Sequence, residues 1–346
     1  MKKILIIVPS GLSFNENSLF KQGVGGSETW AIQLSNALRN LGNSVTIVGM
    51  CSTHVAESGI EYFSTSEMDK ILKTRKFDLV IISRQHSDIL DKIDSYKTTD
   101  NAIIQAHDPD IVGNSFNSIK DLPCFRGVST LSAYQERKLH DNCGVDWRYM
   151  ARIGNGIDIE LFKNLDFTAR NKRLLHSSCY QRGGRIVEKD ILPKYLKTIT
   201  EGGVDFCSYD TCSTCNSENV NVLGSLSKPD LYRNMSERYC WFYPLINDET
   251  FCITMIENVM CENDIILPLN YGCSSILEPF NNDITMKHNF ISGDGEFILA
   301  VDEACERIIE SINNRDKGRK LREELKNYVI SKYDWNVIAK KWLSLI

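Results

Sequence analysis

Short β-rich apolar runs alternate with amphipathic helical patterns twice along this chain, and that alternation restricts the fold more than any single motif. Strands are expected at Ile4–Val8, Ser44–Val48, Asp78–Ile82, Ala102–Ala106 and Gly127–Thr130. Helical spacing falls between them, over Ser27–Leu41, Glu67–Thr74, Ser87–Ser95 and Ser132–Asp141. The second half repeats the scheme, with strands at Lys172–Ser177, Asp205–Tyr209, Val220–Leu223, Tyr239–Pro244 and Ile265–Leu269. Its helices are expected over Pro193–Thr200, Lys228–Met235, Thr250–Cys261 and Phe297–Ile312. Such alternation predicts α/β architecture: parallel sheets with helices on both faces. Asn155-Gly156-Ile157-Asp158 is a turn signal that divides the halves. Two doubly wound domains are therefore expected, residues 1–156 and 157–330, with a ligand cleft between their strand C-termini. Asp316–Ser331 reads as a charged helix. After Tyr333-Asp334-Trp335, apolar Val337, Ile338, Trp342 and Leu345 recur at helical spacing, so a last helix within 331–346 must bury one face.

Length and composition agree with this division. A chain of 346 residues suits about two domains, and 42% hydrophobic residues fill two cores. A net charge of −5 with mixed signs excludes the basic footprint that duplex nucleic acid requires. No apolar stretch is long enough to cross a bilayer. Met1-Lys2-Lys3 and Ile4–Val8 resemble a leader, but the apolar run is too short, no small-residue cleavage site follows, and Pro9 ends a buried strand. A cytoplasmic protein is the expectation. Lys70, Lys73, Arg75 and Lys76 form a small basic run that reads as a solvated helix face, so membrane contact is at most peripheral. Of the 12 cysteines, Cys240, Cys252 and Cys261 sit inside apolar runs, where a thiol packs as a small hydrophobe. Cys207, Cys212 and Cys215 include a C-x-x-C but have no fourth ligand at zinc spacing. In a reducing compartment they read as unpaired thiols, and no metal site is expected.

Chemistry concentrates in Glu249-Thr250-Phe251-Cys252-Ile253-Thr254-Met255-Ile256-Glu257. Thr250 reads as an N-cap before the apolar run, with Glu249 at the mouth of the helix and Glu257 roughly 12 Å further along its axis. The first N–H groups, those of Phe251 and Cys252, would then face an anion at the positive end of the helix. A second candidate is Gly23-Val24-Gly25-Gly26-Ser27-Glu28, whose glycines permit close backbone approach to a phosphate, with Ser27 as the cap. Asp108-Pro109-Asp110 spells a D-x-D, but its proline points to a turn rather than a metal site.

These segments together resemble the retaining GT-B glycosyltransferases of glycosyltransferase family 4. The resemblance is carried by Gly25-Gly26-Ser27-Glu28, Gln105-Ala106-His107-Asp108, Asn155-Gly156-Ile157-Asp158, Ser177-Ser178-Cys179-Tyr180-Gln181-Arg182-Gly183, and Tyr243-Pro244 followed by the E-x7-E segment. It ends in Tyr333-Asp334-Trp335 and spans nearly the whole chain in order. It implies a GT-B fold of two Rossmann-like domains facing each other across a cleft, with the C-terminal helix returning to the first domain. It also implies a UDP- or GDP-linked sugar donor, an acceptor hydroxyl on a glycan, lipid or small molecule, and no further cofactor. By resemblance, Glu257 binds ribose hydroxyls and Glu249 faces the transferred sugar. The backbone of Thr250, Phe251 and Cys252 holds the diphosphate, with Gly25 and Gly26 closing on it. Arg182 neutralises the leaving diphosphate, accompanied by Arg185 or Lys189. The backbone of Leu226 contacts the base. His107 lies near an outer sugar hydroxyl, with Asp108 beside it.

Two stretches depart from the family pattern: Asn258-Val259-Met260-Cys261-Glu262-Asn263, where small residues ending in glycine are usual, and Tyr271-Gly272-Cys273, with one glycine where two are common. The loop Tyr209–Asn219 has no counterpart. Rival readings are a sugar-nucleotide epimerase or hydrolase, a phosphorylase, for which no pyridoxal lysine is evident, a nucleotide-dependent oxidoreductase, for which the glycine spacing is wrong, and a non-catalytic binding relic.

Overall fold

The structure, a computed structural model, describes every residue except 85–86, 111–114, 209–217, 270 and 292. It divides into two compact units. One comprises Met1–Leu19, Val24–Gly156 and Lys332–Ile346, and the other Phe20–Gly23 and Ile157–Ser331.

The first unit is built on β1 (Lys3–Val8), where Ile4, Leu5, Ile6 and Ile7 are all fully buried. Side chains alternate along a strand. Ile4, Ile6 and Val8 therefore join one hydrophobic cluster with Trp30 and Leu34, while Leu5 and Ile7 join another with Val80, Ile82 and Ile104. A strand buried on both faces belongs at the centre of a parallel sheet. The sheet adds β2 (Ser44–Gly49), β3 (His54–Val55), β4 (Glu61–Ser64), β5 (Leu79–Ser83), β6 (Ala102–Gln105), β7 (Phe125–Thr130) and β8 (Met150–Arg152), in the order β3-β4-β2-β1-β5-β6-β7-β8. All pairs are parallel except β3 with β4. The strand order reverses between β1 and β5, so their carboxyl ends open the crevice where ligands bind in such sheets.

The last helix, Trp335–Leu343, packs on the helix Gly26–Asn40 of this unit. Asp334 caps it by accepting the Asn336 N–H at 2.6 Å. Trp335, Ile338, Ala339 and Trp342 form its buried stripe. Trp335 Nε1 donates to Gln33 Oε1 at 2.6 Å, and the rings of Trp30 and Trp342 lie 6.4 Å apart. Gly156 lies against Trp335, since a Cβ there would come 2.3 Å from the indole.

The second unit holds two parallel three-stranded sheets. One is ordered β11-β10-β9, from β9 (Arg173–His176), β10 (Gly203–Phe206) and β11 (Val220–Val222). The other is β12-β13-β14, from β12 (Cys240–Phe242), β13 (Asp264–Pro268) and β14 (Thr285–Met286). A parallel bridge between Asn171 and Arg238, each just before its strand, sets the starts of β9 and β12 side by side. Buried Asp205 on β10 reinforces the seam by accepting from Arg238 Nη2 at 2.8 Å and Arg173 Nε at 2.7 Å. The chain winds away from β9 in one direction and from β12 in the other. This makes a second reversal, at the carboxyl ends of β9 and β12.

Most expected elements form within a few residues of their expected bounds. Four short strands, His54–Val55, Glu61–Ser64, Met150–Arg152 and Thr285–Met286, have no counterpart in the sequence reading. The helix expected over Pro193–Thr200 shortens to Leu192–Tyr195 and follows a wider π-type turn, Val187–Ile191. Pro193 has no N–H to offer the Lys189 carbonyl, so the α-helical ladder cannot run through that turn.

Candidate functional site

Arg182 follows β9 and Glu249 follows β12, and local backbone chemistry brings them together. Gly183, with φ +92, takes a conformation that strains other residues. A Cβ on it would also meet Pro244 Cγ at 2.4 Å. The chain can therefore turn tightly over Pro244, and Arg182 Nη1 lies 3.3 Å from Glu249 Oε2. Burial works against the guanidinium charge, but Glu249 and Tyr243 outweigh it and hold Arg182 above its ordinary pKa. Glu249 is 17% exposed and Arg182 49%, so the cation is the accessible partner.

The start of the E-x7-E helix differs from the sequence expectation. Thr250 does not cap it. The helix runs Ile253–Met260, and Cys252 is its N-cap in a left-handed conformation, φ 67 and ψ 78. Thr250 and Phe251 lie in the preceding loop, both buried. The cause is a tertiary contact. Gly272 N–H donates to the Glu249 carbonyl at 2.7 Å, and a Cβ on Gly272 would lie 2.2 Å from Thr250 O. This packing pins residues 249–250 in a loop and moves the helix cap by two positions, from Thr250 to Cys252. The Cys252 N–H, expected to meet an anion, donates to Glu249 Oε1 at 3.3 Å. The unpaired donors of the helix start thus fall to Ile253 and Thr254, whose N–H groups have no intrahelical acceptor.

Glu257 is only 1% exposed. Its Oε1 accepts from Lys228 Nζ, which forms an ion pair with it, and from Tyr232 Oη at 2.8 Å. Lys228 and Tyr232 stand one turn apart on the helix Lys228–Ser236, which is capped by Ser227. Phe162 stacks on Tyr232 at 4.3 Å. Half-buried Leu226 immediately precedes the cap, and its backbone hydrogen-bonds the Cys207 thiol. Lys189 forms an ion pair with the neighbouring Glu188, and Arg185 is exposed.

A second cluster occupies the crevice at β1 and β5 in the first unit. The helix begins at Gly26 with Gly25 as N-cap, so Ser27 lies inside the first turn and is not the cap. Glu28 is buried. Its carboxylate accepts the Leu12 N–H at 3.0 Å and the Ser27 hydroxyl at 3.2 Å, and Cβ atoms on Gly11 or Gly25 would strike it at 2.1 and 2.3 Å. The two glycines make room for this carboxylate, which ties both loops together. Arg84 leaves β5 with φ 64 and donates from Nε to Asp108 at 3.0 Å and from Nη1 to Ser27 Oγ at 3.1 Å. Asp108 of the D-x-D is therefore ion-paired with Arg84. His107, beside it, meets Trp30 edge-on at 5.1 Å. Burial and nearby Arg84 lower its pKa to about 3, so the imidazole is neutral.

Among the described residues no three His, Cys, Asp or Glu side chains are grouped to hold a metal. Cys212 and Cys215 lie outside the described residues, and Cys207 is a buried thiol whose pKa burial raises. No helix among the described residues is long and apolar enough to cross a membrane. In the basic run, Lys73 pairs with Asp69 at 2.6 Å, Arg75 with Glu61 at 2.6 Å, and Lys76 donates to the Tyr96 carbonyl at 2.8 Å.

The sequence matches no protein-family model, and a search of curated proteins finds no significant match. Solved structures do match. A glycosyltransferase from Rickettsia africae aligns with a TM-score of 0.75 at 15% identity, over 99% of this chain and 97% of that one. Sucrose-phosphate synthase from Thermosynechococcus elongatus aligns at 0.71 and 13%, over 100% and 98%. Anabaena HepE, in complex with UDP and glucose, aligns at 0.70 and 13%, over 99% of each chain. The chain has the GT-B fold. The sequence reading did not single out Lys228 and Tyr232, which engage Glu257, or Arg84, which engages Asp108 and Ser27. The first two carry a legible signal, a lysine and a tyrosine four positions apart that share one helix face. Arg84, a lone residue at a strand end, carries none.

Two predictions arise from this geometry. Under the function proposed below, Gly272→Ala is expected to lower turnover by roughly 10²-fold, the cost of misplacing reacting groups by about 1 Å. Gly295→Ala, where an added Cβ meets nothing within 4 Å, is the control. Equal rates in the two variants would show that the Glu249–Thr250 loop tolerates the shift. The second prediction concerns pH. His176, buried between Phe206 and Tyr243, is lowered to about 4 by burial, as His107 is to about 3. The unfolded chain protonates imidazoles below about pH 6.5, so it binds more protons than the folded state, and stability falls as pH drops from about 6.5 towards 4. Denaturant midpoints at pH 7 and pH 5 test this, and His176→Phe is expected to shrink the difference. A midpoint independent of pH across that window would contradict it.

Proposed function

We propose that this chain is a retaining, metal-independent glycosyltransferase that moves a sugar from a nucleoside diphosphate donor, UDP- or GDP-linked, to an acceptor hydroxyl. One arrangement supports the reading: an accessible arginine paired with a shielded carboxylate, beside a helix start, with a second, buried carboxylate in that helix's second turn. A diphosphate is recognised by positive charge. Arg182 and the N–H groups of Ile253 and Thr254 provide it. As Arg182 turns to the phosphates, Glu249 Oε2 is released towards the sugar, where a fixed carboxylate stabilises the positive charge developing at the anomeric carbon. Glu257 holds ribose hydroxyls. The bond from the anomeric carbon to the diphosphate oxygen breaks, and the acceptor oxygen bonds on the same face. The acceptor's proton passes to the departing diphosphate, so no protein base is needed. In this proposal Gly25 and Gly26 are donor-binding glycines, and His107, with Asp108 beside it, serves an outer hydroxyl of the transferred sugar. A neutral His107 can exchange a hydrogen bond with a sugar hydroxyl without adding charge.

A thermal-shift panel of sugar nucleotides identifies the donor, because a ligand bound only by the folded state raises its stability. Proton NMR of the product then reads the anomeric configuration. The expected product keeps the donor's configuration and forms in the presence of a strong chelator. An inverted product would replace the proposed mechanism. Turnover restored only by Mn²⁺ or Mg²⁺, with Asp108 and Asp110 required, would do the same.

A further inference from the structure

The buried Glu257 carboxylate is used asymmetrically. Lys228 Nζ and Tyr232 Oη both engage Oε1, and among the described residues no donor reaches Oε2. The three side chains are nearly shut off from water: Lys228 is 13% exposed, and Tyr232 and Glu257 are each 1% exposed. Phe162 closes over the Tyr232 ring, and Lys228 Nζ also sits over that ring, 5.6 Å from its centroid. A lone buried carboxylate is costly unless a cation and further hydrogen bonds accompany it. Here the compensation comes from one side only. It keeps the carboxylate in place and directs its remaining oxygen away from the helix Lys228–Ser236.

We propose that Lys228 is a positioning residue: with Tyr232 it clamps Oε1 of Glu257 so that Oε2 alone receives the ribose hydroxyls of the nucleotide, which makes the site selective for a ribonucleoside diphosphate over its deoxy counterparts. This rests on the glycosyltransferase reading of the same site. A freely rotating carboxylate would present either oxygen and tolerate loss of one hydroxyl. A clamped one offers a single acceptor in a fixed direction, so the ligand's hydroxyl pattern is read by geometry. Lys228 itself does not touch the nucleotide in this scheme.

Calorimetry with UDP and GDP and their 2′-deoxy and 3′-deoxy forms tests both levels. The parent protein is expected to bind UDP or GDP and to lose about 10- to 100-fold in affinity for at least one deoxy form, the size of a charge-assisted hydrogen bond. Lys228→Gln is expected to weaken ribonucleotide binding about tenfold while leaving the deoxy form little changed, so that the discrimination ratio collapses. Lys228→Met with Glu257→Gln removes the buried charge altogether and keeps the test open if a lone charge prevents folding. It is expected to show no discrimination. A merely structural lysine would weaken all the ligands in parallel and leave the ratio intact, which would overturn the inference while the donor reading stands. A parent protein that binds neither nucleotide, or ignores both hydroxyls, would overturn the two together.

Discussion

Glu249→Gln is expected to lower kcat by roughly 10²-fold or more while the bare nucleoside diphosphate binds almost as it does to the parent. The two carboxylates of the E-x7-E segment occupy opposite environments, and their kinetic signatures should separate accordingly. Glu249 is partly shielded, accepts the Cys252 N–H and shares Arg182, and in the proposed mechanism its oxygens lie where charge changes. A glutamine keeps the shape but loses the charge that an oxocarbenium-like centre requires. Glu257 is sealed in and touches only the nucleotide in this scheme. Its replacement by glutamine should weaken nucleotide binding by about 1.5–3 kcal/mol and raise KM, with turnover at saturation little altered. Steady-state kinetics on the cognate donor, with calorimetry on the nucleotide alone, distinguishes the two. Variants that fold like the parent and keep both turnover and affinity would reduce the segment to a helix-capping motif.

Trp342→Ala is expected to destabilise the first unit by about 3–5 kcal/mol, the range for truncating a buried aromatic. Trp342 is fully buried, and it belongs to the same cluster as Ile4, Ile6, Trp30 and Leu34. The cavity would open against the central strand of the sheet. Calorimetry of the intact protein should show the unfolding transition of this unit at lower temperature. An unchanged thermogram would mean that the last helix contributes little to that core.

The sequence was most informative where a pattern is repeated over many residues. Strand periods placed ten of the fourteen strands of the three sheets, because parallel strands buried on both faces must be almost continuously apolar, as Ile4–Val8 is. The E-x7-E and glycine-loop segments stood out for their residue types. Legibility failed where a distant residue decides a local conformation. Nothing in Thr250-Phe251-Cys252 reveals that Gly272 will occupy the space beside it, so the cap falls two residues later than the sequence suggests. Similarly, Glu257 in an apolar run demands a partner, and Lys228 and Tyr232 meet that demand from 29 and 25 positions away. Ser27 looked like a cap, but Glu28 draws its hydroxyl inward. His54–Val55, Met150–Arg152 and Thr285–Met286 are too short for any period to show.

The first unit is discontinuous in sequence, with residues 157–331 of the second unit lying between its parts Val24–Gly156 and Lys332–Ile346. During synthesis its sheet is complete long before its core is. Gln33 emerges early, and the indole that donates to it, Trp335, follows 302 positions later. Throughout that interval the surface of the helix Gly26–Asn40 around Trp30 and Gln33 lacks the helix that covers it, while the whole stretch of the second unit is made and can fold independently. The nascent chain therefore carries an uncovered aromatic face until the helix Trp335–Leu343 has been made, and the docking of that helix completes this core.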